Sequence, residues 1–126
     1  MTESQLVNQI CEGLLYRGIF CWRSNNIPIF SQKQNCFRKL PKFTPRGVAD
    51  ILGILTFKLK NDIIIGMMLC IEVKVAKNKL SIYQQIFLDK INKKRGIGFV
   101  AYSWEDVENK LIEIEKSYGK ILYNLQ

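Results

Sequence analysis

From Met67 to Val75 every position is apolar except two, Glu72 and Lys74. Such a run reads as a core strand, and its alternation puts both charged side chains on one face, side by side. Burying them is costly unless they pair with each other or bind a metal. A further acid, Asp50, stands upstream in the equally apolar Val48-Ala49-Asp50-Ile51. The fold must therefore bring these charges together, most simply at one end of a sheet. Two carboxylates beside a lysine is what metal-assisted phosphodiester hydrolysis asks for, so these residues read as those of a small nuclease.

Hydrophobic periodicity supplies the frame around them. Glu3 to Arg17 reads as a helix, with Leu6, Val7, Ile10, Leu14 and Leu15 at three- and four-residue spacing, Thr2 as N-cap and Gly18 as the stop. Ile19–Arg23 reads as a short strand. Ser24–Arg46 is polar and basic, with prolines at 28, 41 and 45, and reads as a long loop or irregular excursion. Strands are expected over Val48–Phe57 and from Ile63 or Met67 to Val75, joined by turn residues Lys58–Asp62. A helix over Ser81–Arg95 places Leu80, Phe87, Leu88 and Ile91 on one stripe. A strand over Ile97–Tyr102 and a helix from Ser103 to near Gly119 complete the order. One domain spanning residues 1–126 is expected, and a helical crossover between the third and fourth strands implies a mixed sheet with helices on its faces.

Composition excludes several classes. The chain has no histidine, and its four cysteines (Cys11, Cys21, Cys36, Cys70) include no C-x-x-C pair, which argues against a zinc site and against serine or cysteine triads. The cysteines read as small buried hydrophobes of a reducing compartment. The longest apolar run, Ile63–Ile71, is too short to span a bilayer, so no membrane is expected. No basic-then-apolar signal segment opens the chain, and an intracellular protein is expected. The formal charge of +8 points to a polyanion such as nucleic acid, against the alternative of a generally lysine-rich protein.

If the strands bearing Asp50 and Glu72 form a hairpin turning near Asn61-Asp62, Asp50 lies opposite about Val73, flanked by Glu72 and Lys74. Hard divalent cations take such oxygen ligands. The plainer alternative is a Glu–Lys pair on an exposed strand face, against which the apolar neighbours weigh. Glu3 shares the inward stripe of the first helix whereas Glu12 does not, making Glu3 either a third acid aimed at the sheet or a helix-dipole partner. Gln84 lies on the inward stripe of the second helix. It serves either to hold a water or phosphate, or as part of a Ser81-x-x-Gln84 capping box.

The order Asp50, Glu72-x-Lys74, then Gln84 on the next helix resembles the PD-(D/E)XK nuclease superfamily. Within it, Cys21–Asn25, Gly47–Gly53, Ile71–Lys74, Lys79–Gln84, Gly96–Val100 and Ser103–Val107 resemble the virus-type replication-repair nuclease (VRR-NUC) domain. Ala49 replaces the proline of the superfamily name, and the segment Ile27–Pro45 matches least. The resemblance implies a restriction-endonuclease-like α/β core of helix, three antiparallel strands, helix and strand. It implies Asp50 and Glu72 as ligands of Mg²⁺ or Mn²⁺ with help from the Val73 carbonyl, Lys74 as catalytic, and Gln84 and Glu3 as supporting residues. It further implies DNA as substrate, branched substrates such as flaps or four-way (Holliday) junctions, a homodimer, and a phage or mobile-element origin.

The leading expectation is thus a metal-dependent endonuclease selective for branched DNA, with phosphate contacts from Arg23, Arg38, Lys39, Lys42 and Arg46. For those side chains the alternative is a solvated loop. The competing reading of the whole chain is a non-cleaving DNA-binding module on a nuclease scaffold.

Overall fold

The computed structural model describes residues 1–24, 30–31, 36–37 and 40–123. Helix α1 (Glu3–Tyr16) begins at a capping box: the Thr2 hydroxyl accepts from the Gln5 amide (3.1 Å), and the Gln5 side chain accepts from the Thr2 amide (2.8 Å). Leu6, Val7, Ile10 and Leu14 are buried as the periodicity requires, but Leu15, expected on the same stripe, is exposed. One residue beyond Leu14 turns the side chain about 100° around the helix, off the covered face. Gly18, at φ 85°, turns the chain into strand β1 (Phe20–Arg23).

The excursion expected after Arg23 contains a two-stranded element, β2 (Phe30–Ser31) paired antiparallel with β3 (Cys36–Phe37). Its pairing was not legible in a polar stretch with no alternation. Arg38 and Lys39 lie outside the described residues.

Strands β4 (Ile51–Lys58) and β5 (Ile64–Val73) form the expected antiparallel hairpin, in register from Ile51↔Ile71 to Lys58↔Ile64. Continued by one step, that register sets Asp50 opposite Glu72, one residue from the expected Val73. The turn is centred on Asn61, with Asp62 in the left-handed region at φ 65°, and Gly66 pairs with Thr56 without a bulge. Helix α2 (Ile82–Lys93) then crosses over to β6 (Ile97–Ala101), which runs parallel to β5. Helix α3 (Trp104–Tyr118) leads to β7 (Lys120–Ile121), a short strand absent from the sequence reading that pairs with the far end of β4.

The result is an α/β fold with a mixed, open five-stranded sheet in the order β1-β4-β5-β6, β7 lying beside β4. Helices α1 and α3 cover one face, where Leu6, Ile10, Leu14, Val107, Leu111 and Ile114 pack on Ile51, Leu55, Phe57, Leu69, Ile71 and Val73. Helix α2 covers part of the other, where Leu88, Phe87 and Ile91 meet Ala49, Leu52 and Cys70. Cys11, Cys21 and Cys70, in α1, β1 and β5, carry free thiols on buried or half-buried side chains. Among the described residues no helix is long and apolar enough to cross a membrane.

Candidate metal centre

Strand and helix directions bring the start of α1, the residue preceding β4, the end of β5 and the start of α2 to the same end of the sheet. Three carboxylates converge there from three elements. One oxygen each of Glu3, Asp50 and Glu72 lies within 4.8 Å of the others. Glu3 therefore faces the sheet as its place on the helix stripe predicted, while Glu12 is exposed.

Among the described residues Glu72 is the buried charged residue of the core, only 2% exposed. Its Oε1 accepts a hydrogen bond from Gln84 Nε2 at 3.0 Å and lies 3.9 Å from Lys74 Nζ. Its Oε2 is buried with no hydrogen-bond partner. An orphaned buried carboxylate oxygen is costly, and native structures rarely keep one without a bound ion, a water or a protonated state. Burial, then a hydrogen bond that only the protonated acid can share with Asp50 and the negative charge of Asp50, push the Glu72 carboxyl up to about 9, against the opposing pull of Lys74. Three acids facing one lysine leave the cluster short of positive charge, and a divalent cation or a proton on Glu72 supplies it.

Asp50 is held by its backbone and its side chain. Its carbonyl accepts from the Ser24 amide at 2.8 Å, fixing it to the end of β1, and its Oδ2 accepts from the Val73 amide at 2.8 Å. Gly47, at φ 71°, lets the preceding loop lie flat against the first turn of α2. A Cβ there would fall 2.4 Å from the Tyr83 carbonyl carbon and 2.6 Å from the Gln84 nitrogen. That close approach sets Asp50 and Gln84 beside the same carboxylate.

Of the two roles the sequence left open for Gln84, the structure shows the capping box, and it adds a hydrogen bond to Glu72. Its amide oxygen accepts from the Ser81 amide (2.8 Å) while its backbone N–H donates to the Ser81 hydroxyl (3.2 Å), completing the capping box. Its amide nitrogen remains free to orient Glu72. Lys74 follows the end of β5, its backbone N–H donating to Ala101 O at 3.1 Å, and its side chain is 13% exposed. The ammonium thus reaches the cluster from a partly open side.

Of the basic residues expected to contact phosphates, Arg23 donates to Asn8 Oδ1 and Ser4 Oγ, both at 3.0 Å, which anchors it on α1. Arg46 stacks on the Tyr83 ring (4.9 Å) and donates to its hydroxyl at 3.0 Å, one residue from Gln84. Lys42 lies over the exposed Phe43 ring at 5.2 Å. The sequence reading missed Tyr83, whose exposed position on α2 gave no signal until Arg46 was placed on it. All three donors of the cluster are carboxylate oxygens, a set that could hold a metal ion.

None of the known protein families, curated proteins or solved structures compared with this chain matches it.

Proposed function

We propose that this protein is a metal-dependent DNA endonuclease, hydrolysing phosphodiester bonds in branched DNA such as four-way junctions or flaps. The observation that carries the reading is the buried, unpartnered Oε2 of Glu72 within a three-carboxylate cluster that a lysine ammonium reaches. The helix order and mixed sheet are compatible with a PD-(D/E)XK core of the VRR-NUC type, which is the resemblance the motifs carry.

In this reading Asp50 and Glu72 hold Mg²⁺ or Mn²⁺ with the Val73 carbonyl, and Glu3 adds a third acid. When bound, such an ion stabilises charge on the scissile phosphate and lowers the pKa of a coordinated water. Lys74 as an ammonium would orient the attacking water and offset the negative charge that grows on the phosphorus-bound oxygens, or as a neutral amine would take the water's proton. Gln84 keeps Glu72 in its ligating rotamer. Arg23, Lys42 and Arg46, with Arg38 and Lys39, contact phosphates on either side of the cut, so affinity falls steeply with salt. Two copies of the chain present two such centres to the two strands of a junction.

The test is cleavage of end-labelled hairpin, flap, splayed and four-way DNA with Mg²⁺ or Mn²⁺. Cutting is expected to require the ion, to favour a branched substrate, and to fall by about 10² or more in Lys74→Ala. A variant that cuts as well as the wild-type chain places the chemistry elsewhere. Binding without cutting by the wild-type chain supports a non-cleaving module.

A further inference from the structure

Strand β6 forms one edge of the sheet, and the alternation of its backbone decides what that edge offers. Ala101 O accepts from the Lys74 amide, so Ile97, Phe99 and Ala101 turn their backbone groups toward β5. The residues between them turn theirs outward. Gly98 is already paired there: its N–H donates to Asn92 Oδ1 at 2.8 Å, and its carbonyl accepts from Asn92 Nδ2 at 2.9 Å. The Tyr102 N–H donates to Asp106 Oδ2 at 2.8 Å. Between these two plugs the N–H and C=O of Val100 point outward, and among the described residues neither finds a partner.

Val100 lines a cleft of about 390 Å³ between α2 and α3. Small-molecule sites span roughly 300–1,000 Å³. Leu80 and Leu88 wall the cleft on the α2 side, and Lys110, 5.7 Å from the Phe99 ring, walls it on the α3 side. An apolar wall, a cationic wall and a hydrogen-bonding edge between them suit a flat aromatic ligand. The Asn92 amide shows which edge of such a ligand fits. A carboxamide, with acceptor and donor side by side, spans the N–H and C=O of a single β6 residue. Every nucleobase carries the same acceptor–donor pair on its Watson–Crick edge.

We propose that this cleft holds one unpaired nucleobase, its edge on the Val100 backbone and its faces against Leu88 and Lys110. A base within a duplex has no free Watson–Crick edge, so the cleft selects an unpaired nucleotide. Because all bases share the pair, it selects no particular sequence. An added peptide strand does not fit, since Asn92 and Asp106 occupy the pairing positions on both sides of Val100. Val100 stands opposite Glu72 in the β5–β6 register, one strand from the carboxylates. The base site stands without the metal centre. That its base belongs to a branched DNA rests on the proposed nuclease activity, and there it narrows the substrate to branches with an unpaired nucleotide, such as a flap.

The experiment is fluorescence anisotropy of end-labelled flap DNA with the full chain in EDTA, where binding is read without cutting. One flap carries ordinary nucleotides; its counterpart carries abasic residues at the unpaired positions beside the branch. The abasic flap is expected to bind about tenfold more weakly. Val100→Pro deletes the outward donor and no ladder bond, as proline does on a sheet edge. Asn109→Trp, at an exposed position of α3, fills the cleft and decides the matter if the proline variant fails to fold. Each variant is expected to erase the difference between the flaps and to bind a fully paired duplex as the wild-type chain does. Equilibrium dialysis of deoxyadenosine monophosphate separates the two sources of a base. Saturable binding that Asn109→Trp abolishes assigns the cleft to a free nucleotide, and no binding beside a clear flap difference assigns it to a base in a strand. Equal affinity for both flaps with no nucleotide binding overturns the proposal. So does a preference for the base-bearing flap that Asn109→Trp retains. Cutting is scored separately, so a chain that discriminates the flaps yet never cuts refutes the nuclease reading alone.

Discussion

Replacing Glu72 by glutamine separates the cost of a buried charge from its use. In the unfolded chain this carboxyl titrates near its ordinary 4.5, and in the folded chain at about 9. Between those values the folded chain holds a proton that the unfolded chain has lost, so the fold loses stability as pH rises through that window when no divalent ion is present. Below pH 4.5 both states are protonated and the cost vanishes. At about 1.4 kcal/mol per pH unit, the accumulated cost at pH 7 is about 3 kcal/mol. Glutamine has the shape of the protonated acid, its Oε1 can still accept from Gln84, and it never ionises. In EDTA, Glu72→Gln is therefore expected to be more stable than the wild-type chain by about 3 kcal/mol at pH 7 and by little at pH 4.5. Urea unfolding followed by circular dichroism at the two pH values measures both. Added Mg²⁺ raises the wild-type midpoint and leaves the variant unmoved. A variant less stable than wild type at pH 7 in EDTA, or one whose advantage is equal at both pH values, refutes the reasoning.

Two further substitutions test how the centre is positioned. Gly47→Ala forces a Cβ into the Tyr83 backbone at an unfavourable φ of 71°, and a loss of about 2–4 kcal/mol is expected in the same unfolding assay. Gln84→Ala removes half of the capping box and the donor to Glu72; it is expected to cost about 1 kcal/mol of stability and to weaken Mg²⁺ binding in a calorimetric titration, whereas a purely structural cap would leave the titration unchanged.

Much of the fold was legible because the apolar residues repeat at two clean periods. The stripe Leu6, Val7, Ile10, Leu14 is buried as read, and Val107, Leu111 and Ile114 of α3 are buried at the same kind of spacing. The strand alternation of Ile51, Leu55 and Phe57 likewise marks the inward face of β4. Charge out of place in such a pattern made Asp50, Glu72 and Lys74 visible, and the same logic singled out Glu3 and Gln84. What escaped lacks a local signal. Strand β7 is two residues long and depends on β4 for its partners. The register of Asp50 turned on whether the hairpin is centred on Asn61 or beyond it, which composition cannot distinguish. The stacking of Arg46 on Tyr83 joins residues far apart in sequence, so only the close approach at Gly47 reveals it. The exposure of Phe20, Trp22, Ile54 and Met68 went unread for another reason. They look like core residues in a sequence, and only the placement of α2 leaves them outside.

The most direct measurement is a calorimetric titration of Mg²⁺ and of Mn²⁺ into the wild-type chain and Asp50→Asn, repeated in two buffers of different ionisation enthalpy. Saturable binding by the wild-type chain is expected, with close to one proton released per ion at pH 7 as Glu72 ionises, and its loss in the variant. A wild-type chain that binds neither ion, or a variant that binds as tightly as wild type, would contradict the assignment of these carboxylates as a cation site.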